Sequence, residues 1–154
     1  MSEIHLEGGT AADRKRILER LDQYLAANAR FDCEALQDIW SSTPDAVFFN
    51  LNGHTYHGRE HWTNLWKYYQ RNVTSSYWTP FDIGGVVAGN LAVLWCHRHT
   101  HSDWVGSDPP PAARPYGQEF ISRSTMVFRK EDGDWRVLHV HFSPASTAAR
   151  PGGV

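Results

Sequence analysis

The sequence predicts an α+β domain in which helices come first and a run of antiparallel strands follows. Three observations carry this prediction. Apolar residues recur at three- and four-residue steps between Asp13 and about Trp40, with a short break at Arg30-Phe31. An Asn52-Gly53 pair stands between two extended runs. Four longer extended segments then occupy most of residues 76–142.

The first element spans Asp13 to about Ala29, where Ile17, Leu18, Leu21, Tyr24, Leu25 and Ala29 make one apolar face and Asp13 is the expected N-cap. Asp32 is placed to cap a second helix that runs to about Trp40, and Ser41-Ser42-Thr43-Pro44 ends it. Ala46–Leu51 and His54–His57 form a hairpin about Asn52-Gly53. Gly58-Arg59-Glu60 opens a third helix carrying Trp62, Leu65, Trp66 and Tyr69 at helical spacing. Ser76–Val87 is extended but broken by Pro80 and Gly84-Gly85, which fits an edge strand with a bulge. Leu91–Trp104 alternates over a long reach, and Val105–Tyr116, with three consecutive prolines, is a stiff loop. Gln118–Arg129 and Trp135–Phe142 are the last two strands. Residues 1–12 are expected to form a flexible arm, 13–145 one domain, and 146–154 a disordered tail.

Composition narrows the function. The chain has 154 residues, enough to bury a core without staples. Aromatic residues reach 13% with seven tryptophans, which suits a concave protein whose rings fill a core and line a cavity. A net charge of -2 and no basic stripe argue against nucleic acid as a partner. No apolar run approaches the ~20 residues of a membrane span, and the first residues lack a basic flank and an apolar signal core, so the expected address is the cytoplasm. Cys33 and Cys96 read as reduced core thiols. No cofactor is expected.

Two stretches bear a family likeness. Asp132-Gly133-Asp134-Trp135-Arg136-Val137-Leu138-His139-Val140-His141-Phe142-Ser143 resembles the terminal strand of SnoaL-like proteins and of the calcium/calmodulin-dependent kinase II association domain. Asp45-Ala46-Val47, Gly53 and Gly58-Arg59-Glu60 resemble the approach to their third helix. With the order of elements, the sequence is similar to the nuclear transport factor 2-like superfamily from about residue 13 to 145. The resemblance implies a cystatin-like cone, a curved sheet wrapped around a long helix and enclosing a small-molecule pocket. It also implies a homodimer through the convex sheet face. This superfold carries many chemistries, so activity must be argued from the site.

Matching register to those relatives turns Leu138, Val140 and Phe142 inward with Leu94, Cys96 and Arg98, and sends most histidines outward. Three positions then carry candidate catalytic chemistry. Tyr24 resembles the phenol that ketosteroid isomerase aims at its developing enolate, while its alternative role is ring packing. Asn50 stands where that isomerase has its aspartate base. An amide takes up no proton near neutrality, which leaves ligand orientation or a backbone-satisfying turn role. Arg98 matches an inward arginine of the kinase association domain. A guanidinium there meets either a ligand carboxylate or an internal acid such as Glu119 or Asp82. Arg123 and Thr125 are expected to share its polar cluster. Trp40, Phe48, Trp66, Cys96, Val140 and Phe142 complete the expected ligand-binding set, and Trp62 is a further wall.

Histidine is the compositional oddity, with nine residues. His97, His99 and His101 share one face of one strand, and His139 and His141 share a face of another. The Gln118–Arg129 strand should separate them by about 10 Å, too far for one ion, so no metal is assigned and a pH-sensitive interface is the alternative. His139-Val140-His141-Phe142-Ser143 also resembles the terminal motif of iota-class carbonic anhydrases but lacks its middle histidine. The function expected is therefore a small-molecule pocket protein. One reading is an acid–base isomerase, dehydratase or hydrolase acting on an oxygenated or carboxylated hydrophobic metabolite. The others are a non-catalytic ligand-binding or oligomerisation module, and a carbonic anhydrase-like or histidine-bound metal protein.

Overall fold

Helix α1 spans Ala11–Ala29 in the computed structural model of the protein, which describes residues 4–153. Its cap is Thr10, one turn before the expected Asp13. Thr10 Oγ1 accepts from the Asp13 N–H at 3.0 Å and donates to the Asp13 carboxylate at 2.9 Å. Asp13 is instead the point where the helix is tied down, because its Oδ1 accepts from Trp135 Nε1 and Lys130 Nζ, both at 3.1 Å. Helix α2 (Cys33–Ile39) begins as expected, with Asp32 accepting from the Ala35 N–H at 3.1 Å. Helix α3 covers Gly58–Asn72.

Seven strands make one curved, open, mixed sheet. They are β1 (His5–Gly8), β2 (Val47–Phe49), β3 (Thr55–His57), β4 (Val73–Ala88), β5 (Leu91–Trp104), β6 (Phe120–Glu131) and β7 (Asp134–Pro144), in the spatial order β1-β4-β5-β6-β7-β2-β3. Residues 5–8, expected within a flexible arm, form β1 and pair in parallel with Gly84–Val87. A Cβ at Gly8 would collide with the Val87 carbonyl oxygen, so a glycine is needed where the chain turns off this strand into α1. Residues 1–3 of the expected arm and residue 154 of the expected tail lie outside the described residues. Residues 145–153 carry no helix or strand.

Strand β4 bulges twice against β5, between Thr74 and Tyr77 and between Phe81 and Gly84. Ser75 and Asp82 take φ of 53° at these two places. Pro80 pairs with Arg98 on one side only, since β1 covers β4 no further than Gly84. The expected break is therefore an open edge at Pro80 and a covered one at Gly84-Gly85.

The terminal strand departs from simple alternation. Val127 faces His139 and Phe128 faces Val137, so Leu138 is an extra residue in β7. Before this bulge Trp135 and Val137 point into the core, and after it Val140 and Phe142 do, all 4% exposed or less. Trp135 and Val137 therefore do not share the face of His139 and His141. Leu138, expected inward, sits in the bulge, half-buried and packed against the core.

Helix α1 packs across the concave face through the buried Ile17, Leu21 and Tyr24. A chain of ring contacts from Tyr24 through Trp40 to Trp62 and Trp66 fills the space beside it, with centroids 5.1–5.4 Å apart and near-perpendicular planes. The closed end is locked by Arg20. Its Nε donates to the Trp135 carbonyl at 2.8 Å, and its Nη2 and Nη1 donate to the Asp38 carbonyl at 2.6 Å and carboxylate at 3.0 Å.

Candidate functional site

At the other end the cone stays hollow. Helix α1 contributes Tyr24 and Asn28 to the lining, and the β2–β3 turn contributes Asn50 and Leu51. Trp66 and Tyr69 come from α3, Val73 and Trp78 from β4, Arg98 and Ser102 from β5, and Phe142 from β7. Phe31 closes one side, and Arg114 and Tyr116 from the proline-rich loop close the mouth. The cavity encloses about 360 Å³ of atom-free space out to that mouth, yet a water-sized sphere can centre in only about 20 Å³ of it. That is room for about one water. A larger ligand must displace the loop side chains.

Arg98 forms the floor. It is 2% exposed, its Nε donates to Ser122 Oγ at 3.0 Å, and its guanidinium carbon lies 4.3 Å from the centre of the Phe142 ring. Ser122 Oγ is in turn 2.8 Å from Thr100 Oγ1. Neither candidate acid reaches it. Glu119 accepts from Tyr77 and pairs with His99, and Asp82 pairs with His97, all on the outer face. Among the described residues no carboxylate forms an ion pair with Arg98 or with Arg114. Burial lowers the pKa of Arg114, and the charge on Arg98 adds to that effect. Two guanidiniums thus repel one another across a water-poor space.

The phenols in the lining are acids. Tyr24 is fully buried with no hydrogen-bond partner for its O–H, and burial pushes it up to about 12 against the pull of Arg98. Burial pushes Tyr69 higher still; its O–H donates to Asn50 Oδ1 and accepts from Asn52 Nδ2, both at 3.2 Å. Asn50 Oδ1 also accepts from the Asn52 N–H at 3.0 Å, so this side chain serves the turn and lines the cavity together. Tyr116 O–H, Asn28 Oδ1 and Trp66 Nε1 are buried without partners among the described residues.

Of the residues singled out from sequence, Tyr24, Asn50, Arg98, Trp66 and Phe142 meet in this cavity. Trp40, Phe48 and Val140 are fully buried in the core behind it, as is Trp62. Cys96 sits beside Ser124 Oγ at 3.1 Å, outside the lining, and burial raises its thiol pKa. Arg123 and Thr125 do not join the cluster. They project from the opposite face of β6, where Arg123 Nε donates to Ser143 Oγ at 3.2 Å; the inward positions of that strand are Ser122 and Ser124. Sequence reasoning missed Arg114 and Tyr116 altogether, because an aperiodic loop gives no clue to which side chain folds back.

The histidines of β5 face outward, and each has an acid at 3.2 Å: His97 with Asp82, His99 with Glu119 and His101 with Asp103. His139 Nδ1 lies 2.7 Å from the Val47 carbonyl oxygen, and His139 and His141 flank Phe49. Strand β6 stands between the two histidine sets, as anticipated. Among the described residues no three His, Cys, Asp or Glu side chains converge as metal ligands. No helix among them is long and apolar enough to cross a membrane.

Comparison with known proteins agrees with this architecture. The family model of the SnoaL-like domain matches residues 17–147. Among curated proteins none matches the sequence. A nuclear transport factor 2-like superfamily protein from Salmonella enterica serovar Typhimurium superposes with a TM-score of 0.76 at 19% identity, over 95% of this chain and 100% of that one. A candidate dehydratase of the same family from Streptomyces avermitilis gives 0.73 at 18% identity, over 88% and 98%. A candidate calcium/calmodulin-dependent protein kinase type II association domain from Thiobacillus denitrificans gives 0.65 at 16% identity, over 82% and 93%. At such identities the likeness is one of fold.

Proposed function

The chain belongs to the family of SnoaL-like domains, and from that premise we propose that it holds a small carboxylate-bearing hydrophobic metabolite inside the cone. The observation that carries this reading is Arg98, a buried guanidinium that faces the cavity without an acid partner among the described residues. An uncompensated buried cation is costly, and a carboxylate fits its fork in bidentate fashion. Trp66, Trp78 and Phe142 offer flat apolar walls for the carbon skeleton. The O–H of Tyr24, which lacks a partner, is a hydrogen-bond donor for a second oxygen.

A catalytic reading rests on the same phenol. Tyr24 stays protonated at neutral pH and is suited to stabilise an oxyanion or to protonate a leaving hydroxyl, which is compatible with the dehydratase named among the similar folds. Elimination also needs a proton acceptor. Among the described residues the lining contains phenols, amides, guanidiniums and the Ser102 hydroxyl but neither a carboxylate nor an imidazole. Binding is therefore the first reading and acid-assisted chemistry the second. We take the protein to act as a cytoplasmic homodimer. Support comes from two free thiols and from an outer sheet face that exposes Trp95, Val93 and Phe49 beside the histidine–acid pairs.

The test is calorimetry with a panel of carboxylic acids and their primary amides. Acids should bind and amides of equal shape should not, and Arg98→Met should abolish the difference. Equal binding of acid and amide would refute the assignment.

A further inference from the structure

Arg114 is the second charge of the cavity, held by hydroxyl, carbonyl and aromatic groups but answered by no acid among the described residues. It lies in the loop between β5 and β6, where its Nη2 donates to Ser102 Oγ at 3.0 Å and its Nε approaches the Pro115 carbonyl at 3.4 Å. The guanidinium carbon stands 4.5 Å from the Tyr116 ring centre and 5.2 Å from that of Phe120. Arg20, the other arginine buried as fully as Arg98, is answered by Asp38, and the half-buried Arg16, Arg129 and Arg136 pair with Asp134, Asp45 and Asp38. The two that face the cavity are left without one among the described residues.

We propose that the ligand is a short dicarboxylate, with one carboxylate on Arg98 at the floor and the other on Arg114 at the mouth, so that the bound ligand ties the proline-rich loop to the floor. This rests on the reading of the cone as a carboxylate site and narrows it to a substrate class. A monocarboxylate cancels one of two positive charges and leaves the other in a water-poor space, whereas a dicarboxylate cancels both. Like-charge repulsion between the guanidiniums, already felt by Arg114, turns into a shared attraction once an anion lies between them. The Tyr24 and Tyr116 hydroxyls line the same cavity and are available to such a ligand as further donors. Apolar walls suit a carbon linker between the charged ends better than a compact inorganic dianion.

Succinate and butyrate share four carbons and differ by one carboxylate, so their affinities separate the two guanidiniums. For the intact protein, succinate should bind at least about tenfold more tightly by calorimetry. Arg114→Gln, a loop change away from the core, should bring the two to within about threefold while butyrate binding persists. Arg114→Lys should recover part of the preference. Amide hydrogen exchange over residues 105–119 should slow with succinate more than with butyrate. A matched affinity for the two acids in the intact protein, or a succinate preference that survives Arg114→Gln, overturns the proposal while leaving the Arg98 site standing. Failure of both acids to bind overturns the two readings together.

Discussion

Arg20 and Arg98 are both 2% exposed, and they sit at opposite ends of the same cone. Around Arg20 the nitrogens of the guanidinium meet two backbone carbonyls and the Asp38 carboxylate, in a seam that joins α1, α2 and β7. Around Arg98 the protein supplies one serine hydroxyl and an aromatic face. The first site is closed to any visitor because every direction is taken. The second has donor capacity left over and a hollow to direct it at. Burial alone says nothing about function; the difference lies in how completely the surrounding groups answer the charge.

Replacing each arginine by methionine is the strongest way to break this comparison. Arg20→Met should lower stability by about 2–4 kcal/mol, measured by urea unfolding, since the Trp135 carbonyl loses this donor and the Asp38 carboxylate its buried partner, while the Asp38 carbonyl keeps Arg136. Arg98→Met should change stability by no more than about 1 kcal/mol, because an apolar side chain of similar volume replaces an unpaired buried charge. It should nevertheless weaken carboxylate binding by about 1.5–3 kcal/mol. Equal loss of stability in the two variants would erase the distinction.

Acid sharpens it next. Asp134, held by Arg16 at 2.8 Å, has its pKa driven well below the usual carboxylate range, first by that hydrogen bond. A depressed carboxylate contributes stability that is present above its unfolded pKa near 4 and is lost as pH falls below it. The closed end should therefore loosen in acid, and Asp134→Asn should flatten the fall in melting temperature between about pH 5 and pH 2. Alkali addresses the open end with the smallest effect. The unfolded phenol of Tyr24 titrates near 10 and the folded one at about 12. Its contribution is complete below pH 10 and disappears as pH rises between these values. Tyr24→Phe should reduce the alkaline decline, and it should cost little at pH 7 because the hydroxyl has no partner to lose.

The frame of the cone is more legible in sequence than either of its ends. Strand β5 announces itself by alternation, and the inward face of Arg98 comes from matching its register to the resembled families. Helices α1 and α2 followed from periodicity and from Asp32. The misses share a physical cause, which is tertiary context without a local signal. Strand β1 is four residues held by backbone pairing to β4, and its side chains give no period to detect. Arg123 and Thr125 are expected beside Arg98 because they lie on the neighbouring strand, although that strand presents them to the other face. Arg114 lies among prolines, where only the path of the loop decides which side chain turns inward.

The extra residue at Leu138 has a consequence for tracing ancestry. Correspondence with distant relatives along the last strand has to be drawn in two segments, one ending at Val137 and one starting at His139. A gap placed elsewhere would exchange imidazoles for cavity walls and credit one surface with the other's chemistry. Insertions of this kind are inherited with the backbone, so the offset has to be carried into any such correspondence.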